Sequence, residues 1–308
     1  MMATRAIEFF TGKVTARSRR TTAAAPYLFL LPAMLYFLIF WVGPFLFTIW
    51  ISMTDWDILG NIADVQFRGL RNYTDLVTND SIFLTAVRNT FTYVVVNVPL
   101  VLVLGLGLAL LLERQFAGRS VVRTIAFLPY GTSVVALAII WKFIYSPTDS
   151  GVLNSVLLKL GLPSQGWLSS ANLALPAVMA MDIWKWTGYT MVIFLVALSN
   201  IPAMYYEAAE VDGASWWDRF RYITLPLLRP TFLFAVTTAT IGAFQVFAQV
   251  YVMTQGGPAN ATEVVVHYMY RVAFKWLRMG DAAAMAIVLL GLILVLVMSE
   301  VKGLQERD

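Results

Sequence analysis

Six long apolar segments restrict this chain to very few folds. They run over Tyr27–Trp50, Thr90–Leu112, Val121–Tyr145, Leu173–Leu198, Thr231–Met253 and Ala282–Met298. A helix needs about 20 apolar residues to cross the hydrocarbon core of a bilayer. The expected fold class is therefore all-α integral membrane, with six transmembrane helices in one domain spanning 27–300, flanked by tails at 1–26 and 301–308. The composition, 59% hydrophobic and 13% charged, departs from the roughly 45–50% apolar and 25% charged of soluble domains. Pro32, Pro44, Pro99, Pro129 and Pro176 fall inside the apolar runs. Neighbouring helices can satisfy the backbone groups that proline frees, so these read as kinks.

Basic residues predict the orientation, because cytoplasmic loops carry the excess of Lys and Arg. The N-terminal tail, the second–third and fourth–fifth connections and the C-terminal tail together hold 13 cations, against eight on the opposite side. Both termini are thus expected in the cytoplasm. The first apolar run is long and ends in no small-residue cleavage pattern, so it reads as a retained signal anchor.

Several function classes drop out. Cysteine is absent, which removes disulfides, thiolate chemistry and Cys-ligated metals. His267, the single histidine, reads as an outer-loop surface residue, and no catalytic or metal-ligating set is expected. No Gly-x4-Gly-Lys-Ser/Thr loop or other phosphate cradle occurs. Any ATP chemistry must then reside in another chain. The net charge of +4 is small and reports membrane topology rather than nucleic-acid binding.

The polar gap between the fourth and fifth segments has an unusual composition for a linker. It contains Glu207-Ala208-Ala209-Glu210-Val211-Asp212-Gly213-Ala214, then Asp218, Phe220, Ile223 and Leu225-Pro226. Pro202 suits a helix start, and Gly213 permits a left-handed turn. Ser215 with Asp218 forms a capping-box pattern for a second short helix, which Pro226 is expected to stop. Val211, Trp216, Phe220 and Ile223 are available for burial. Local chemistry leaves two readings: a helix–turn–helix offered to another protein, or an amphipathic loop lying on lipid headgroups.

Polar residues within spans are costly and usually face a cavity or partner helices. The fourth segment carries Asp182, Trp184, Lys185, Trp186, Thr187, Gly188, Tyr189 and Thr190. Asp182 and Lys185, three apart, share a helix face and can neutralise each other. In the fifth segment Gln245 and Gln249, four apart, are expected on one helix face. Aromatic rings and amides suit a hydroxyl-rich ligand; packing aromatics, an ion pair and interhelical glue explain the same residues.

The polar gap also resembles a known motif. Glu207, Ala208, Ala209, Asp212, Gly213, Ala214, Ile223, Leu225, Pro226 and Pro230 are similar to the EAA motif of binding-protein-dependent ABC importer permeases. Gly256-Gly257-Pro258, Tyr268, Tyr270, Ala273-Phe274, Gly280-Asp281-Ala282-Ala283-Ala284 and Trp186-Thr187-Gly188-Tyr189 resemble the sugar branch, of the maltose and glycerol-3-phosphate type. The likeness runs from about Tyr27 to Met298. It implies a maltose-type permease fold whose coupling helices, at about 203–222, sit in a cleft of an ATPase. It further implies a substrate pathway near Trp184, Trp186, Gly188, Tyr189, Gln245 and Gln249. The implied partners are a second permease, two ATPase subunits holding ATP-Mg, and an extracytoplasmic solute-binding protein, at a bacterial or archaeal cytoplasmic membrane. The chain lacks the large outer insertion of the maltose permease, which argues against maltose itself. The expected function is import of a carbohydrate or related polyol. The alternatives are a glycerol-3-phosphate-type solute, a multispan membrane enzyme or a secondary transporter.

Overall fold

The structure is a computed structural model that describes residues 25–60 and 65–305. The tail cations Arg5, Lys13, Arg17, Arg19, Arg20 and Arg307 lie outside those residues. The chain divides into two units, Met1–Trp50 and Ile51–Asp308. Among the described residues it is helical, with only the isolated bridges Thr54–Phe67 and Asp57–Arg278.

The first unit holds α1 (Ala25–Phe37), a π-helical turn (Leu38–Val42) and most of α2 (Gly43–Ser52). The π turn has a local cause. Pro44 lacks an N–H, and its ring would crowd the carbonyl four residues back. Widening the preceding turn, so that Gly43 N–H bonds to Leu38 O five residues back, relieves that contact. The same device recurs before Pro226, where Leu225 N–H bonds to Phe220 O.

The second unit is built around α4 (Ser81–Glu113) and α8 (Ala174–Ser199), which pack along much of their lengths. Against them lie α3 (Arg71–Thr78), α5 (Arg119–Gly131), α12 (Arg229–Phe244) and α13 (Ala248–Met253), while α6 (Val134–Ile144) packs on α13 and α15 (Met279–Gln305) on α12 and α3. Tyr93, Met181, Phe194, Phe244 and Met285 are fully buried between these helices. Tyr27–Ser52, Ser81–Glu113, Arg229–Met253 and Met279–Gly303 are long and apolar enough to cross a membrane. The number rises to six if the bent pairs Arg119–Gly131 with Val134–Ile144, and Ala174–Ser199 with Ala203–Val211, each count as one span.

Four expectations about the spans change. The second helix begins at Ser81 rather than Thr90. Asp80 caps it, accepting from Phe83 N–H at 2.9 Å, and its polar first turns hid this start from hydropathy. The third segment bends by 103° between α5 and α6, because Pro129 and the extended Thr132 interrupt the ladder. The fifth breaks at Gln245, where α12 ends, and resumes in α13. Pro176 makes no kink, since it lies in the first turn of α8, where no N–H is needed.

A separate cluster lies between α13 and α15. His267, on α14 (Val265–Tyr270), is only 1% exposed, which corrects its reading as a surface residue. Its Nδ1 lies 2.5 Å from Glu263 Oε1, and Arg271 Nη1 donates to Glu263 Oε2 at 2.5 Å. Asn89 on α4 donates to the carbonyls of Asn260 and Glu263, and Thr90 Oγ1 accepts from Val265 N–H. The segment is thus pinned to the core by polar groups that a pattern of single residues does not reveal.

Candidate functional site

The polar gap folds into a compact element. α9 (Ala203–Val211) is followed by a turn at Gly213, whose φ of 76° is in the region that disfavours a Cβ. α10 (Trp216–Arg219) opens with the expected capping box. Asp218 N–H donates to Ser215 Oγ, and Ser215 N–H donates to Asp218 Oδ2. The Ser215 hydroxyl also donates to Asp218 Oδ2 at 2.5 Å, and this bond, with the one from Ser215 N–H, holds the Asp218 carboxyl below the usual carboxylate range.

Pro226 does not stop the second helix, which corrects that expectation. The π turn Phe220–Thr224 carries the helical path into α11 (Leu225–Leu227). Tyr206 and Thr224 hydroxyls bond at 2.9 Å and tie the two arms together. Arg219 bridges to Glu210 at 3.4 Å.

Glu207, Ala208, Asp212, Gly213, Leu225 and Pro226 are exposed, while Ala209, Ala214 and Ile223 are half-buried. The apolar residues expected to be covered are largely not. Val211 is 89% exposed and Trp216 53%, with Trp216 stacked on Phe220 at 5.6 Å between centroids.

The residues read as a pathway separate into different environments. Trp186 and Tyr189 line a cavity between α4, α8 and α12, together with Asn97, Asp182, Thr190 and Thr238. Its volume open to a water-sized sphere is about 20 Å³, and one water needs about 10–15 Å³ on that measure. No Lys or Arg is among its lining residues. Tyr130, at the end of α5, stacks on Tyr189 at 4.5 Å and meets Trp186 edge-on at 5.4 Å.

The other expected residues lie elsewhere. Trp184 is 44% exposed and leans on Trp141. Gly188 is a close-packing position, where a Cβ would run into the Ala126 carbonyl oxygen on α5. Gln245 and Gln249 do not share a helix face, because α12 ends between them. Gln245 is exposed, and Gln249 is buried behind the cavity.

Asp182 and Lys185, whose spacing left open whether they pair or line a pathway, do not pair with each other. Asp182 Oδ1 accepts from Gln249 Nε2 at 2.5 Å and Oδ2 from Asn97 Nδ2 at 3.2 Å. Lys185 Nζ donates instead to the carbonyls of Pro129, Tyr130 and Thr132. Each residue takes uncharged partners because the bend between α5 and α6 brings bare carbonyls to Lys185, while amides from α4 and α13 reach Asp182. Asn97 and Tyr130 were missed from sequence. Asn97 was legible as a lone amide in an apolar run; Tyr130 depends on the bend.

The comparisons with known proteins fit this architecture. Residues 101–307 match the family model described as binding-protein-dependent transport system inner membrane component. A probable ABC transporter permease protein of Pyrococcus horikoshii is 38% identical, covering 91% of this chain and 96% of that protein. The arabinooligosaccharides transport system permease protein AraP of Bacillus subtilis is 34% identical, with 91% and 88% covered. The lactose transport system permease protein LacF of Rhizobium radiobacter is 35% identical, with 91% and 94% covered. A chain in the crystal structure of a bacterial ABC transporter involved in import of the acidic polysaccharide alginate superimposes with a TM-score of 0.81. It is 25% identical, covering 94% of this chain and 99% of its own. The chain belongs to the family of ABC importer permeases, the inner membrane components of binding-protein-dependent transport systems.

Proposed function

We propose that this chain is a membrane-spanning subunit that translocates a neutral carbohydrate or related polyol. The observation that carries the proposal is the lining of the cavity at Trp186 and Tyr189, which as it stands has room for about one water and would have to widen to admit a sugar. Rings there can stack on the aliphatic faces of a sugar, and amides and hydroxyls can bond its hydroxyl groups. The cavity lining contains a carboxylate, Asp182, and no cation. The one cation in α8, Lys185, is committed to backbone carbonyls. A phosphate-bearing solute such as glycerol-3-phosphate would need cationic partners. The arabinooligosaccharide and lactose permeases among its relatives support the carbohydrate class.

In this reading six spans cross a bacterial or archaeal cytoplasmic membrane, with both termini inside. The chain pairs with a second permease and two ATPase subunits that hold ATP-Mg. A similar transporter structure contains an alginate pentasaccharide-bound periplasmic protein, which supports a soluble partner that delivers the solute. The helix α9 with its exposed Val211, and α10 with its exposed Trp216, engage the ATPase.

The test is uptake by the complex recovered through a tag on this chain and reconstituted in liposomes. Radiolabelled arabino-oligosaccharide, lactose and glycerol-3-phosphate are offered with the co-purified binding protein. ATP-dependent uptake of a neutral sugar is the expected result. Uptake of glycerol-3-phosphate alone would overturn the solute class. Accumulation by this chain alone, driven by a proton or sodium gradient, would overturn the importer reading.

A further inference from the structure

We infer that Lys185 is a positioning residue: it ties the bend between α5 and α6 to α8 and thereby holds Tyr130 against Trp186 and Tyr189, the two rings that line the cavity. A helix that ends inside a membrane leaves carbonyls without intrahelical partners, and no water is there to satisfy them. At the 103° bend after α5, three carbonyl oxygens converge, of which that of Pro129 also accepts from Thr132 N–H at 3.2 Å. Lys185 Nζ donates to Pro129 O at 3.0 Å, Tyr130 O at 2.9 Å and Thr132 O at 2.8 Å. An ammonium has three N–H donors, so all of them are used.

The positive charge also sits at a helix C-terminus, where the aligned peptide dipoles favour it. Lys185 is 7% exposed, and its ammonium lies 5.7 Å from the centre of the Tyr130 ring. It therefore grips both the backbone and the ring of the residue that stacks on Tyr189. One turn away, Gly188 allows α5 and α8 to approach closely at Ala126. The bend and the aromatic wall share these two fastenings. Without Lys185 the Tyr130 and Thr132 carbonyls lose this donor, Pro129 keeps only Thr132 N–H, and Tyr130 is free to leave Tyr189. The importance of this wall for transport rests on the proposed function; the fastening itself does not.

The absence of native cysteine allows a direct test in the complex purified through this chain. Tyr130→Cys with Tyr189→Cys forms a reporter pair. Thr90→Cys with Val265→Cys, on α4 and α14, forms a control pair. Oxidative crosslinking is read as loss of maleimide–polyethylene glycol labelling. Lys185→Met is expected to slow the reporter pair at least tenfold and leave the control pair unchanged. Equal slowing of both pairs would reduce Lys185 to general stability, and unchanged rates in both would overturn the inference. If Lys185→Met does not assemble, the same two rates are read in Lys185→Gln, which keeps an amide donor. Normal crosslinking with lost uptake would assign Lys185 to the solute instead. Slow crosslinking with normal uptake would uphold the fastening and remove the cavity from the pathway.

Discussion

Replacing Gly188 with alanine adds one methyl group where α8 crosses α5. An ideal Cβ there would meet the Ala126 carbonyl oxygen and lie 2.7 Å from its carbonyl carbon and 3.0 Å from Phe127 Cα. These are backbone atoms of a helix, so no side chain can swing aside. Overpacking of this kind costs about 1–3 kcal/mol. Alanine also gains about 0.5–1 kcal/mol over glycine in a helix interior. Gly107→Ala in α4 supplies the reference, because nothing lies within 4 Å of a Cβ at that position. Both variants carry the same helix-propensity gain, so their difference isolates the overpacking, about 1–3 kcal/mol. Reversible unfolding of the purified chain in mixed micelles, followed by circular dichroism, measures it. Gly107→Ala should match or exceed the parent, and Gly188→Ala should fall below both. Equal stability of the two variants would refute the close approach of α5 and α8. Since Tyr189 follows Gly188 directly, the same variant should also weaken the Tyr130–Tyr189 stack.

Glu263→Gln removes the charge shared by His267 and Arg271, and breaking a buried pair of this kind costs about 3–5 kcal/mol; an unchanged unfolding midpoint would refute the network. Gly213→Val forces a β-branched residue to positive φ, and Glu207→Lys reverses the charge on α9. Both should insert normally yet lose solute-stimulated ATP hydrolysis in the assembled complex, and wild-type stimulation would remove α9 from coupling. Gln249→Ala strips Asp182 of its 2.5 Å donor and should reduce uptake more than Gln245→Ala, whose side chain is exposed; the reverse order would place the solute at the break after α12.

Much of this architecture was legible in the chain itself. Apolar length marked four helices long enough to cross a membrane and two bent pairs, because hydrocarbon demands that length wherever a helix crosses. The element at 203–222 was readable down to its turn and its capping box, since Gly213, Ser215 and Asp218 act within a few residues of one another. The EAA-like motif and the family followed from residues in fixed local spacing. Chemistry that depends on neighbours in sequence can be read from sequence.

The tertiary structure decided how the polar groups pair. Asp182 and Lys185 share a helix face and suggested an ion pair, yet each finds partners on other helices. The bend between α5 and α6 delivers three carbonyls to Lys185, while α4 and α13 bring amides to Asp182. His267 looked like a surface residue because nothing adjacent marks it as buried; Glu263 lies one turn away, but its burial depends on α4 and α13. Gln245 and Gln249 looked coplanar only while the helix was assumed continuous. For Asp182, Lys185 and Gln249 the deciding energy is the satisfaction of a buried polar group. Its partner is set by where separate helices cross, which no local pattern encodes.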